Sequence, residues 1–423
     1  MSILSRFGNR LRNRIPPGEL EDLEKLERTN RFILSDLSAM HGPIFKIKEE
    51  DRPQICVVGL ELGRALLKTY AESLQPVNID ITPVLAAGFM RHMTGSEHIH
   101  YRAALTKAVN SMSVEGTQED YRAITLAALQ KYSEAKLKGD DAASMLHDTL
   151  SEISTGFLIR LFFGLRPETV EFAEVCQLFQ RLGPHGVVWN VGDNQKLAFD
   201  ALVAKLGTLL ATDVGETDDC VISTINNNGQ LDSTMLGNLI YMVEIGRYDM
   251  AGLFLWICKN AGLSGEYSDQ IRNEADVKTA RGLARAFVLE TLRLDQSERL
   301  IRRITQGFTF EGFKFPKDWR VRICMWESHK LPDKFENPFD FAPSRFMNNA
   351  PSPNVYSPFG LDHHQCPLAS VSVALGARFL TCLVGNFRVL PVNDGPSVRG
   401  PYHWEPPVDF YVELQHISGG EHA

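Results

Sequence analysis

Residues 357–366 read Ser-Pro-Phe-Gly-Leu-Asp-His-His-Gln-Cys, and an apolar helical pattern follows over residues 369–384. Proline, glycine and aspartate make this stretch rich in turns. The pattern therefore places Cys366 at the end of an irregular loop and just before a helix N-terminus, where a thiolate is favoured. Such a thiolate suits iron as a soft, anionic ligand. Phe359 can pack on the same sulfur and limit the access of water, and His364 can donate to a carboxylate.

Two charged motifs precede this loop. Glu290 and Arg293 are three residues apart in a helical run and can pair on one face of the helix. Their neighbours Phe287 and Leu292 are apolar, which indicates burial, and a buried ion pair needs further partners. Arg345 follows in the stretch Phe-Ala-Pro-Ser-Arg-Phe at residues 341–346.

The three signals, in this order, resemble the cytochrome P450 family: Glu-x-x-Arg, then Phe-x-Pro-x-Arg-Phe, then Phe-Gly followed by His-x-Cys. The resemblance extends to three more stretches, which are 98–102 (His-Ile-His-Tyr-Arg), the Arg-Arg-Ile-Thr strand at 302–305, and 329–346. It covers the chain from about residue 40 to the end. The family's glycines four residues before and two residues after the cysteine are replaced here by Asp362 and Leu368.

The resemblance implies a mainly α fold with a small β region, in which a haem is buried between the central helix and the helix after the cysteine. It implies haem b as cofactor, with Cys366 as the axial thiolate. It also assigns roles to two groups of residues. A buried charge triad of Glu290, Arg293 and Arg345 would support the cysteine loop, and the haem propionates would be bound by His98, Arg102, Arg302 and His364.

The long central helix departs from the family's pattern, which has a glycine followed by an acid and an alcohol that relay protons. Residues 243–252 read Val-Glu-Ile-Gly-Arg-Tyr-Asp-Met-Ala-Gly. Aligning Gly246 with the motif glycine puts Tyr248 at the acid position and Asp249 at the alcohol position. A second register makes Asp249 the acid, and both lack the usual pair. Glu244 and Arg247 are either an ion pair that faces away from the haem or a functional charge.

The composition is that of a globular protein with 44% hydrophobic and 23% charged residues. The net charge of −8 argues against nucleic-acid binding. Seven scattered cysteines favour buried thiols in a reducing compartment. The sequence has no run of about 18 apolar residues, so we expect no transmembrane span. Residues 1–20 are expected to be a flexible or amphipathic basic segment.

The element pattern predicts a single domain over residues 1–423. Strands are expected at 43–47, at 54–58 and within 302–322, and helices at 60–71, over most of 97–261 and at 369–384. The segment 233–261 is apolar on nearly every side, and Asp232 is a candidate cap, so it should be a helix that runs through the core.

Three functions stay open at this point. The first is a monooxygenase that receives two electrons from a ferredoxin or flavodoxin type of partner. The second is oxidative aryl or phenol coupling, or peroxide-driven oxidation, at the same haem. The third is a haem-binding sensor without catalysis. The resemblance to the soluble bacterial members implies a cytoplasmic enzyme of secondary metabolism. The apolar loop 75–91 indicates a hydrophobic or aromatic substrate, although the same residues can equally be core.

Overall fold

The computed structural model describes residues 14–23, 30–49, 51–77, 81–86, 88–93, 95–112, 116–183, 191–211, 219–296, 299–348, 351–361, 365–400 and 403–417.

The α-helices run in chain order as follows: α1 Ile33–His41, α2 Leu60–Thr69, α3 Gly95–Ser111, α4 Gln118–Ala135, α5 Gly139–Phe163, α6 Val170–Arg181, α7 Asp193–Ala211, α8 Val221–Asn227, α9 Ser233–Leu263, α10 Gly265–Asn273, α11 Val277–Thr291, α12 Met325–Ser328 and α13 Ala369–Asn386. A π-helical turn, Leu292–Gln296, follows α11 directly.

The strands are β1 Ile44–Glu49, β2 Arg52–Val58, β3 Leu74–Pro76, β4 Arg299–Ile304, β5 Phe308–Phe310, β6 Phe313–Phe315, β7 Arg320–Cys324, β8 Phe387–Val392, β9 Val398–Arg399, β10 Trp404–Glu405 and β11 Tyr411–His416.

The chain divides into two compact units. The first comprises Met1–Val77, Leu292–Cys366 and Ser397–Trp404, and the second comprises Asn78–Thr291, Pro367–Pro396 and Glu405–Ala423. That the whole chain acts as a single domain stays a prediction.

The first unit is built on a sheet with the strand order β1-β2-β7-β4-β3. The β2–β7 pair is parallel, and the other neighbours are antiparallel. One face carries apolar residues such as Ile55 and Val321 and packs with α2 and the β5–β6 hairpin. The other face packs Cys56 and Cys324 with Leu34 of α1. Since both faces are covered, the second half of β2 is apolar on both sides, whereas β7 buries Arg320 and Arg322 on one of its faces.

The second unit is helical and centres on α9, which packs against α5, α7, α10, α11, α13 and strand β8. Phe254 of α9 contacts Phe157 of α5 edge-to-face and stacks on Phe379 of α13 at 4.2 Å between ring centroids. Strands β8 and β11 form an antiparallel pair beside the C-terminal half of α9. Aromatic stacking and burial along its length explain why α9 is apolar on nearly every side.

Most of the expected elements are confirmed. The first two strands form the β1–β2 hairpin, and the central helix begins at Ser233 with Asp232 as its N-cap. The Asp232 carboxylate accepts a hydrogen bond from the Met235 main-chain N–H at 2.7 Å. The mainly α fold with a small β part is likewise confirmed.

Helix α13 is, by length and composition only, the one helix among the described residues that is apolar enough to cross a membrane. It packs against α4, α9, α10 and α11 of its own unit. Its apolar character is therefore accounted for by contacts within the core of the second unit.

Candidate functional site

The loop that ends at Cys366 folds back on itself. The Cys366 main-chain N–H donates to the carbonyl oxygen of Phe359 at 2.9 Å. Gly360 has a φ of +109°, and a Cβ there would lie 3.2 Å from the Cα of Gln365. Only glycine meets both conditions without strain. The Cys366 side chain is half-buried, and α13 begins three residues later at Ala369, as the sequence predicts.

Two positions at which the family has glycine carry other residues in this chain, and the structure describes one of the two. Leu368 is the N-cap of α13, with φ −98° and ψ 11°, and its side chain is buried. A negative φ suits an ordinary L-residue, so leucine is accommodated here without backbone strain. Asp362 and the predicted propionate ligand His364 lie outside the described residues.

Two residues that were not predicted to belong to the site contact this loop. Arg64 of α2 donates to the carbonyl oxygens of Leu361 at 2.7 Å and Pro353 at 3.1 Å, and to the Asn354 side chain at 3.0 Å. The His329 ring accepts a hydrogen bond from the Ser357 N–H. We did not predict these roles. Arg64 has no sequence signal, whereas His329 opens the stretch 329–346 that resembles the family.

Arg293 is fully buried and binds main-chain oxygens of the segment that leads towards the loop. Its guanidinium donates to the carbonyl oxygens of His329 at 3.1 Å, Pro338 at 2.6 Å and Asp340 at 3.1 Å. Arg345 donates to the neighbouring carbonyl of Asn337 at 2.9 Å. The structure thus brings these two arginines together on residues 337–340.

Glu290, the third member of the predicted triad, ends the second unit's helix α11 and is fully buried. It stands two residues before the π-helical turn that carries Arg293. Burial of both charged side chains agrees with a structural role, because an uncompensated charge in such surroundings would be costly. The triad itself stays a prediction.

The predicted propionate ligands are distributed over both units. His98 and Arg102 lie four residues apart on α3, with His98 buried and Arg102 half-buried. Arg302 lies on β4 and is only 2% exposed. It stands on the same strand face as the core residues Leu300 and Ile304, while Arg303 on the opposite face is exposed. A buried arginine on an apolar strand face requires an anionic or carbonyl partner.

The middle of α9 differs from its two ends. Residues 235–244 are all buried, and so are residues 252–258. Between them Ile245, Tyr248 and Ala251 are half-buried, and Asp249 is exposed. The proton-relay role of Asp249 stays a prediction.

Glu244 and Arg247 form a buried ion pair at 2.9 Å. The same guanidinium donates to the Tyr248 hydroxyl at 2.6 Å and to the carbonyl oxygen of Gly183, just after α6, at 2.9 Å. The Tyr248 hydroxyl also lies within hydrogen-bonding distance of Glu244 and Gly183. The structure therefore supports the interpretation of Glu244 and Arg247 as an ion pair. The Tyr248 hydroxyl belongs to the same hydrogen-bonded cluster.

Gly246, the predicted motif glycine, faces helix α5. A Cβ at this position would lie 3.3 Å from a methyl group of Leu158. Its contact is therefore one of helix packing. Asp249 lies three residues further on and about 60° away around the helix, so the two residues share a face of α9.

The apolar residues of loop 75–91 pack on α9. A Cβ at Gly237 would meet Leu85 at 2.5 Å, and the Phe89 ring lies 4.7 Å from that of Tyr241. The Met90 N–H donates to the Asn238 side chain at 2.6 Å. Ile81, Leu85, Phe89 and Met90 are all buried. The loop was interpreted either as a substrate-binding segment or as part of the core. These four residues belong to the core, so their apolar character says little about the substrate.

A family model described as Cytochrome P450 matches residues 270–401. The abscisic acid 8'-hydroxylase CYP707A1 of Solanum lycopersicum is 35% identical over 431 residues, which cover 92% of this chain and 88% of that protein. The chain belongs to the cytochrome P450 family. Abscisic acid 8'-hydroxylase 1 of Oryza sativa subsp. japonica is 25% identical over 77% of this chain and 73% of its own length.

Solved P450 structures share the fold. The retinoic-acid-bound cyanobacterial CYP120A1 superposes with a TM-score of 0.73 at 20% identity, covering 96% of this chain and 100% of that chain. A zebra fish cytochrome P450 with abiraterone gives 0.69 at 17% identity, covering 91% and 99%. The chain is accordingly a monooxygenase-type oxidoreductase, and its cofactor is haem b.

The residues present fit this cofactor. Haem b needs one axial ligand from the protein and cationic or hydrogen-bonding partners for two propionates. The Cys366 loop supplies a half-buried thiol on a tightly folded backbone. Arg302, His98 and Arg102 supply donors that are buried or half-buried.

Replacing Cys366 by Ala or His is expected to abolish the ferrous carbon monoxide band that is characteristic of a thiolate ligand, because the donor sulfur is removed. The band is measured by difference spectroscopy of the reduced protein. Cys382→Ala, which removes a half-buried thiol on α13, serves as control and should keep the band. A band that persists in Cys366→Ala would show that another residue is the ligand.

Replacing Arg293 by Met should destabilise the protein by about 3–5 kcal/mol, because three carbonyl groups lose their donor and the charge of Glu290 stays buried. Arg285→Met removes an exposed arginine from α11 and should change stability by less than about 0.5 kcal/mol. Denaturant midpoints of the haem-loaded variants are compared. Equal midpoints for both variants would contradict a structural role for Arg293.

Arg102→Ala and Arg302→Ala should each weaken haem retention roughly tenfold or more, since each loses a charge-assisted hydrogen bond of about 1.5–3 kcal/mol. Haem affinity is measured by titrating apoprotein with haem. Arg303→Ala, on the exposed face of β4, is the matched control and should retain affinity. Unchanged affinity in the Arg102, Arg302 double variant would rule out propionate binding by this pair.

Proposed function

We propose that Cys366 holds the haem iron as a thiolate and that the protein hydroxylates a small hydrophobic or aromatic organic molecule. The observation that carries the proposal is the Cys366 loop, in which the Cys366–Phe359 hydrogen bond and the left-handed Gly360 present the thiol. Relatives named as hydroxylases of abscisic acid and of protopanaxadiol support a hydroxylation. The half-buried apolar residues Ile245 and Ala251 in the middle of α9 support an apolar partner.

Bound haem b supplies the activation of dioxygen, and the overall reaction consumes the substrate R–H, dioxygen, two electrons and two protons and yields R–OH and water. The protein's own part is to bind, orient and deliver protons. Arg302, His98 and Arg102 orient the cofactor through its propionates, with His364 as a further proposed donor. Ile245 and Ala251 offer apolar contact to the substrate. The two electrons come from a redox partner.

Asp249 is the proposed source of protons. It is an exposed carboxyl in the middle of an otherwise buried helix, and a carboxyl that exchanges protons with solvent can deliver them at its Oδ atoms. Arg247 is held in place by its ion pair with Glu244 and by its hydrogen bonds to Tyr248 and Gly183. A substrate cation paired with Asp249 is the alternative role.

Asp249→Asn should lower turnover by about 10²-fold or more while substrate binding is kept, because the amide cannot deliver a proton. Tyr248→Phe should change turnover little, since its hydroxyl belongs to the buried cluster, and should cost about 1 kcal/mol of stability. Binding is followed by the spin-state titration of an apolar compound library. Lost binding in Asp249→Asn would show the anchoring role, and wild-type binding and turnover would contradict both roles.

The second candidate chemistry is oxidation that dispenses with the usual proton relay. The missing acid–alcohol pair on α9 favours it, because peroxide already carries both protons, and phenol coupling inserts no oxygen. In the peroxide reaction R–H and hydrogen peroxide give R–OH and water. In coupling, two phenols lose one hydrogen atom each and form a bond between them, with dioxygen or peroxide as oxidant.

Isotope labelling separates these reactions. The haem-loaded protein is supplied with heavy-isotope dioxygen and either reduced ferredoxin, reduced flavodoxin or a flavin-containing reductase, and separately with hydrogen peroxide. The proposal predicts one heavy oxygen atom per product in an electron-donor arm. Unlabelled coupled product, or oxidation with peroxide alone, would favour the second candidate. A wild-type protein with the thiolate band but no oxidation in any arm would overturn both.

Three further expectations stay predictions: a ferredoxin or flavodoxin type of electron donor, a cytoplasmic location and a place in secondary metabolism. The arms of the labelling experiment discriminate between the donors by the rate of product formation.

A further inference from the structure

His329 is a fully buried imidazole to which the preceding mechanism gives no role. It directly follows helix α12 in the first unit and is 0% exposed. Its Nε2 atom accepts a hydrogen bond from the Ser357 main-chain N–H at 3.1 Å. Among the described residues its Nδ1 atom has no hydrogen-bond partner. The bond to Ser357 is therefore the polar contact of this ring that the structure shows.

That bond requires a neutral ring with its proton on Nδ1, because a ring nitrogen that carries hydrogen cannot accept. The surroundings favour the neutral form. Burial lowers the pKa of His329 well below its ordinary value, and the nearby cations Lys330 and Arg293 lower the pKa further. The imidazole is thereby kept as an acceptor for the Ser357 N–H.

Ser357 connects the His329 ring to the cysteine loop through a second hydrogen bond. Its hydroxyl donates to the carbonyl oxygen of Gly360 at 2.6 Å. Gly360 is the left-handed residue next to Phe359, whose carbonyl accepts the Cys366 N–H. Two hydrogen bonds thus connect the His329 ring to the turn that orients Cys366.

His329 is itself held firmly. Its carbonyl oxygen accepts from Arg293, and its ring lies 5.1 Å from that of Tyr356. Tyr356 in turn lies 4.8 Å from the ring of Phe346. A support whose own position is set by packing and hydrogen bonds can orient a ligand loop accurately.

We propose that His329 is a positioning residue for Cys366: its neutral imidazole holds Ser357, and Ser357 holds the turn that presents the thiolate. The proposal rests on the proposed role of Cys366 as iron ligand. It predicts that removal of the acceptor loosens the loop and allows the thiolate to be protonated or displaced, whereas another acceptor at the same place preserves it.

The test compares His329→Leu, which has no acceptor, with His329→Gln, whose side-chain oxygen can take the place of Nε2. Both are studied as haem-loaded protein. In the Leu variant the Ser357 amide should exchange with solvent at least about fivefold faster, since one hydrogen bond is lost. Its ferrous carbon monoxide complex should also convert faster from the thiolate to the thiol band on warming. The Gln variant should match the wild type in both.

Ser357→Ala is the second variant, and it decides the matter if His329→Leu does not fold. It keeps the N–H that His329 binds but lacks the hydroxyl that binds Gly360. We expect wild-type exchange at residue 357 together with faster loss of the thiolate band. The proposal is overturned if Ser357→Ala, or a folded His329→Leu, keeps the thiolate band as long as the wild type, or if Gln and Leu behave alike. A wild type without the thiolate band would instead overturn the role of Cys366.

Discussion

The hydrogen bond between the Cys366 N–H and the Phe359 carbonyl is the constraint on which the first unit's site depends. A ligand loop must leave its sulfur accessible and still hold its backbone in one conformation. The main-chain bond between Cys366 and Phe359 and the left-handed Gly360 hold the described parts of the loop together while the Cys366 thiol stays half-buried. Arg64 and His329 then fix this closed loop from two sides, through α2 and through the residue after α12.

Buried charge is the second organising feature, and the buried cations Arg293 and Arg247 are both matched by oxygen atoms. Arg293 satisfies three carbonyl groups of irregular chain that no sheet or helix could satisfy. In the second unit Arg247 meets the Glu244 carboxylate, the Tyr248 hydroxyl and the Gly183 carbonyl. The first arrangement shapes a long segment without regular structure, and the second ties the end of α6 to the centre of α9.

The sequence predicts local structure and motif residues well, because strand alternation, the Asp232 cap and the Cys366 loop depend on neighbours in the chain. It predicts long-range contacts poorly. Nothing in the sequence shows that Arg64 reaches Leu361, or that Leu85 fills the space above Gly237. The exposure of Asp249 depends on which neighbours pack against the middle of α9, and the sequence does not show this. Motif alignment likewise did not show that Tyr248 belongs to the ion-pair cluster.

The central claim, that Cys366 provides the iron's protein ligand, is tested most directly by iron X-ray absorption of the purified holoprotein. The account predicts one sulfur neighbour of iron beside the ring nitrogens in the wild type, and a spectrum without a sulfur neighbour in Cys366→His. Absence of sulfur from the wild-type spectrum, or its persistence in the variant, would contradict the account.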